Sequence, residues 1–227
     1  MAIIKDIRIY RSAVENCTGN PFPCGFQNMK LSCAVRRIVM KLKENGFALA
    51  DFDHLYINLT TCDIESEISP AKREKDKLHP WFRYYDAHVS QSLYDQLETE
   101  QCIESVASII ELTLQTYFST SGFSTEQIHE CISEALIKGE SMTMKFKEKT
   151  ASKNKAVIYL RYLDNSRYFP LLKVWDMEDN LLLEADLPET NSLDAYGEIQ
   201  LSSKKVTIKP RKNAFLNKSE PLTYIIP

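Results

Sequence analysis

The run from Ser124 to Thr150, STEQIHECISEALIKGESMTMKFKEKT, changes its hydrophobic period at Gly139, and that change decides the fold class. Before the glycine the grammar is helical. Ser124 and Gln127 have the spacing of a capping box, Phe123 and Ile128 that of a hydrophobic staple, and Gly139 follows Lys138 as a stop. After it, Met142, Met144 and Phe146 alternate with Thr143, Lys145 and Lys147, which predicts a strand with one apolar and one basic face.

Reading outward toward the N-terminus, Ser90 to Phe118 is also helical, with a break expected near Glu98-Thr99. The short connection Ser119 to Phe123 then makes a helical hairpin. Ile3 to Tyr10 alternates in part and reads as a strand. A loop spans Asn16 to Gln27, containing Gly19-Asn20-Pro21 and Pro23-Cys24-Gly25. Leu31, Val35, Ile38, Val39 and Leu42 then recur at helical spacing before Gly46, and His54 to Thr60 returns to strand. Thr61 to Leu78 is polar and predicts a surface loop. The aromatic run His79 to His88 predicts a core strand with polar tips.

Toward the C-terminus, Ala156 to Leu163 is apolar on both faces and predicts a central strand. Leu171 to Trp175 and Leu181 to Ala185 flank an acidic hairpin tip, Asp176 to Asn180. Glu198 to Leu201 and Val206 to Lys209 form a last pair, and an irregular tail is expected from Pro210. Helices cluster in the middle and strands at the end. The expected class is α+β: a strand-helix-strand start, a central helical hairpin and a mainly antiparallel C-terminal sheet. One domain over 1–227 is expected, divisible into a mixed and helical part, 1–140, and a β-rich part, 141–227.

The net charge of -3 over 227 residues conceals blocks of opposite sign. Met29 to Lys43 holds five bases and no acid, whereas Glu98 to Glu140 carries eight glutamates against Lys138. Ser141 to Lys173 is basic, Val174 to Glu198 holds eight acids and no base, and Ile199 to Lys218 is basic again. Complementary fields of this kind steer partners more than they set a fold. On the helices, Glu100, Glu104 and Glu111 share one flank, and Glu126, Glu130 and Glu134 form an i, i+4, i+8 row. Like charges at that spacing repel by a few tenths of a kcal/mol per pair, and no lysine within the helices is expected to relieve them.

Catalytic and metal signatures are weaker. With six glycines in the chain, no phosphate-binding G-x-G-x-x-G or G-x-x-x-x-G-K loop can be written. Asp51, Asp53 and His54, or His79, Asp86 and His88, would supply metal ligands if their loops converged. Cys24 with His54 or His88 would make a nucleophile and base under the same condition. Cys17, Cys24 and Cys33 fit no zinc spacing, and all six cysteines are expected to be reduced. Lys30, Arg36, Arg37, Lys41 and Lys43, with Trp81, Phe82, Tyr84 and Tyr85 as stacking surfaces, outline a nucleic-acid module, against which the sequence pI of about 5.9 argues. Neither a leader peptide nor a membrane span is evident, so a cytoplasmic protein without cofactors is expected. The favoured reading is a non-enzymatic binding protein that neutralises a basic protein, as a bacterial immunity protein or antitoxin neutralises a toxin. Glu104, Glu111, Glu126, Glu130 and Glu134 would contact the partner.

Overall fold

The computed structural model describes residues 2–12, 23–72, 77–212 and 220–227. Cys17, the Gly19-Asn20-Pro21 turn and residues 73–76 of the charged loop lie outside the described residues. Two compact units follow one another, Met1–Gly139 and Glu140–Pro227, and the fold is α+β as the periodicity indicated.

In the first unit, strands β1 (Asp6–Ser12), β3 (His54–Thr60) and β5 (Phe82–His88) pair in parallel, and β2 (Pro23–Cys24) and β4 (Ile68–Pro70) add antiparallel edges in the order β2-β1-β3-β5-β4. A parallel connection needs a crossover, and helix α1 (Met29–Glu44) supplies it between β1 and β3. Central strand β3 is buried on both faces. Leu55, Ile57 and Leu59 are fully covered, while the buried Asn58 and Thr60 on the opposite face bond laterally, with Asn58 Oδ1 left without a hydrogen-bond partner among the described residues. The Asn58 amide donates to Asp86 at 2.8 Å and Ser12 donates to Thr60 at 2.9 Å.

The aromatic run divides between the two faces of β5. Tyr84 joins Tyr10 and Tyr56 in a triangle of rings with centroids 5.1–6.1 Å apart, whereas Tyr85 packs on Tyr117 and Phe118. Burial pushes the Tyr56 phenol up to about 12. Most of the run is therefore internal packing, and Trp81 alone of its large hydrophobic side chains is well exposed, at 42%.

Asn28 shows how a single polar residue fixes the helical layer. Its Oδ1 accepts from Leu31 N–H at 2.9 Å and caps α1. Its amide donates to the carbonyls of Leu97 and Thr99 at 2.9 and 2.8 Å, where α2 (Gln91–Gln96) gives way to a 3-10 turn and α3 (Ile103–Phe118). The helix break expected near Glu98-Thr99 thus has a specific clamp. Helix α4 (Thr125–Lys138) carries both halves of the Ser124–Gln127 capping box, and Gly139 closes it at φ +48°, a conformation glycine adopts without strain.

The second unit stacks a four-stranded antiparallel sheet, β6 (Met144–Thr150), β7 (Asn154–Leu160), β8 (Leu171–Asp176) and β9 (Leu181–Asp186), on a three-stranded one, β10 (Glu198–Leu201), β11 (Lys205–Lys209) and β12 (Leu222–Ile225). Ala156, Ile158, Leu172, Val174, Val206 and Ile208 fill the space between them.

Three expectations need correction. Ile68–Pro70 is an edge strand inside the segment expected to be loop, tolerated there because an edge does not require the proline N–H. Leu222–Ile225 pairs with β11, where a tail was expected. Cys62 is disulfide-bonded, so the cysteines are not all reduced; Cys24, Cys33, Cys102 and Cys131 are free. No helix among the described residues is long and apolar enough to cross a membrane.

Candidate functional site: an acidic groove between two helices

The helical hairpin brings Glu111 of α3 against the first two turns of α4. An open groove of about 460 Å³ results, lined by Glu111, Gln115, Thr125, Glu126, His129 and Glu130. Three of the five glutamates singled out from the sequence lie here. Gln115 ties the walls together, donating to Glu111 Oε1 at 2.9 Å and to the Thr125 carbonyl at 3.3 Å. Glu126 sits in the first turn of α4, where its own backbone N–H, then the Ser124 and Thr125 hydroxyls, hold its carboxyl below the ordinary value. Glu130 is exposed one turn on, and neither it nor Glu126 has an ion-pair partner among the described residues.

His129 lies between these carboxylates. Its Nδ1–H donates to Glu111 Oε1 at 2.9 Å, and Ser133 Oγ lies 3.2 Å from Nε2. Since a carboxylate only accepts, the Nδ1 proton is required, and neutral His129 then accepts from the Ser133 hydroxyl. The order Glu111, His129, Ser133 matches a serine-hydrolase relay in connectivity. It lacks the rest of that machinery: Ser133 is in the third turn of α4, where its backbone N–H is bonded within the helix and cannot stabilise an oxyanion. The relay fixes the orientation of the imidazole as a wall of the groove.

The remaining two glutamates are elsewhere. Glu104 is exposed near the start of α3, outside the groove. Glu134 faces α1, where Lys41 reaches it at 2.9 Å, and Lys138 pairs with it at 2.8 Å. The hydrogen bond from Lys138, opposed by burial and reinforced by Lys41, holds the Glu134 carboxyl below its ordinary range. Burial pulls the Lys41 ammonium down, but its bonds to Glu134 and Glu44 outweigh this and raise it. The expectation that no lysine relieves the row therefore fails at Glu134.

The same internal pairing consumes other members of the charge blocks. Glu98 meets Arg11 at 2.7 Å and Glu100 meets Lys30 at 2.6 Å. Arg37 is buried, and Arg36 reaches the Lys5 carbonyl at 3.5 Å. Lys30, Arg36 and Lys41 of the basic block of α1 are thus engaged in internal contacts.

The cysteine and histidines do not converge. Cys24 stands beside Arg11, whose β3 partner is Leu59, so His54 is five residues away along β3, about 16 Å. His88 is on β5, three strand spacings from β2, or about 14 Å. The candidate metal ligands are engaged separately: Asp53 with Lys5 and His54, Asp51 with Arg83, and the His88 ring with the Cys62 carbonyl. No group of three histidine, cysteine or acidic side chains suited to a metal occurs among the described residues.

No protein-family model, no curated protein and no solved structure matches this chain. The functional reading therefore rests on the groove itself. Sequence reasoning found its glutamates but missed His129, Gln115 and Ser133. An i, i+4 spacing of His129 and Ser133 was visible; the contact with Glu111 required the hairpin's register.

Proposed function

We propose that the protein is a binding protein whose α3–α4 groove takes cationic side chains of a basic protein partner, in the manner of an immunity protein or antitoxin acting in the cytoplasm. What carries the reading is the contrast within one helical row. Among the described residues Glu126 and Glu130 have no counter-ion on the open rim, while Glu134 is paired with Lys41 and Lys138. Like charges one turn apart are retained at a small cost in stability, which an external cation would offset. The groove is open and shallow, as suits a protein surface better than an enclosed small molecule. Its rim charges would act mainly on association rate and salt dependence.

The test is capture of a partner from the native host, then binding kinetics at low and high salt for the wild type and for Glu126→Gln/Glu130→Gln. The reading expects several-fold slower association of the variant at low salt, converging with the wild type at high salt. Equal rates at both salt levels would reduce the row to a solvated face.

A further inference from the structure

The four-stranded sheet of the second unit has two edges, and they are built differently. β6 carries Lys145, Lys147 and Lys149 and a bulge between Lys145 and Lys147. Edge lysines and bulges are the devices that keep natural edges from pairing with other chains, and Lys147 is further engaged with the Gly197 carbonyl. β9 also carries a bulge, with Leu182 as its extra residue beside Val174 and Trp175, but it has neither a lysine nor a proline, so the lysines are what distinguish the two edges. Its sequence is Leu181-Leu182-Leu183-Glu184-Ala185-Asp186, Leu181 is 49% exposed, and Met177 at the adjoining hairpin tip is 60% exposed. Among the described residues, no backbone group of 181–186 is hydrogen-bonded beyond β8.

From this asymmetry we infer that the outer edge of β9 is a docking strand for an extended, lysine- or arginine-bearing peptide segment, which pairs with it as a fifth strand. The backbone of β9 supplies the ladder, and the leucines supply apolar contact for alternate side chains of the incoming segment. Charge selects the occupant. Val174 to Glu198 contains eight acids and no base. Glu184 and Asp186 lie on the strand with one cation each, Lys173 at 2.9 Å and Arg161 at 2.5 Å, and Glu178 and Asp179 at the tip have no ion-pair partner among the described residues. A second copy of β9 is the wrong occupant, because it brings Glu184 and Asp186 and no base and so lacks the complementary charge. The inference is independent of the helical groove, which lies in the other unit.

The probe is a nine-residue capped peptide alternating valine and lysine, added to the full chain and read by amide hydrogen exchange. Protection of β9 amides, with β6 amides unchanged, is expected. Leu181→Lys/Met177→Lys alters two exposed positions and installs the missing edge lysines. It is expected to weaken peptide binding at least tenfold with an unchanged urea midpoint. A valine–glutamate peptide and a backbone N-methylated valine–lysine peptide are both expected to leave β9 unprotected. Equal protection by the glutamate peptide, or undiminished binding to the double variant, would overturn the inference. So would perturbation confined to Glu126 and Glu130, an outcome that assigns the peptide to the groove and leaves the groove reading standing.

Discussion

Glu130 and Glu134 are one turn apart on the same helix face, yet they belong to different economies of charge. Glu134 lies over α1, where Lys41 and Lys138 bind it from two sides; Glu130, with Glu126, borders an open groove and has no ion-pair partner among the described residues. A row of identical residues at identical spacing therefore divides into a half that builds the protein and a half left over for something else. The lesson is that a charge block is informative only after its internal partners are subtracted.

The largest effect belongs to the polar contacts that hold the helices together. Asn28→Ala removes the α1 cap and both carbonyl bonds at the α2–α3 break, and is expected to cost about 3 kcal/mol in urea unfolding. A cost of a few tenths would show that the clamp is replaceable by water. Glu134→Gln comes next, at about 1 kcal/mol, because it loses two charge-assisted bonds that are partly exposed.

That loss carries a pH signature. A carboxyl held low in the folded state contributes stability that is full above its unfolded value and disappears as pH falls through its folded value. The wild type should accordingly lose more stability than Glu134→Gln between about pH 5 and about pH 3. Lys41 works in the opposite direction, contributing below its ordinary value and losing that contribution as strongly alkaline pH deprotonates it. Parallel acid profiles for wild type and variant would separate Glu134 from the packing of α1.

A second comparison sharpens what exposure means. Met177 to Asn180 at the hairpin tip are exposed and Asp176 is half-buried, and the tip is not indifferent to substitution. Asp176 accepts from the backbone N–H groups of Glu178 and Asn180 at 2.8 and 2.9 Å and from the Asn180 amide at 2.9 Å. Asp176→Ala is expected to lower the melting midpoint by a few degrees, since the side chain closes the turn. Asp179 sits at φ +62°, so Asp179→Gly should be neutral or slightly stabilising. The smallest effect is chemical: without reductant, alkylation should reach Cys24 first and Cys33, Cys102 and Cys131 after unfolding, with Cys62 protected throughout. Modification of Cys62 in the unreduced protein would contradict its disulfide.

What was legible in the chain was what is encoded locally. The Ser124–Gln127 box, the Gly139 stop, the Glu98-Thr99 break and the Asp176–Asn180 hairpin each depend on residues a few positions apart, and each is found in place. The short edge strands Ile68–Pro70 and Leu222–Ile225 were not legible, because three or four residues carry too little periodicity and exist by pairing with strands already formed. For the site, the glutamate row was visible but its division was not. Lys41 reaches Glu134 across the α1–α4 contact, and Glu111 reaches His129 across the hairpin; neither distance is written in the spacing of the residues.

The most direct test sets the two halves of the row side by side: Glu126→Gln/Glu130→Gln against Glu134→Gln, each measured for urea midpoint and for association with the captured partner at low salt. The account predicts an unchanged midpoint with slowed association for the first, and a lowered midpoint with wild-type association for the second. A lowered midpoint for the first, or slowed association for the second alone, would contradict the division on which the proposed function stands.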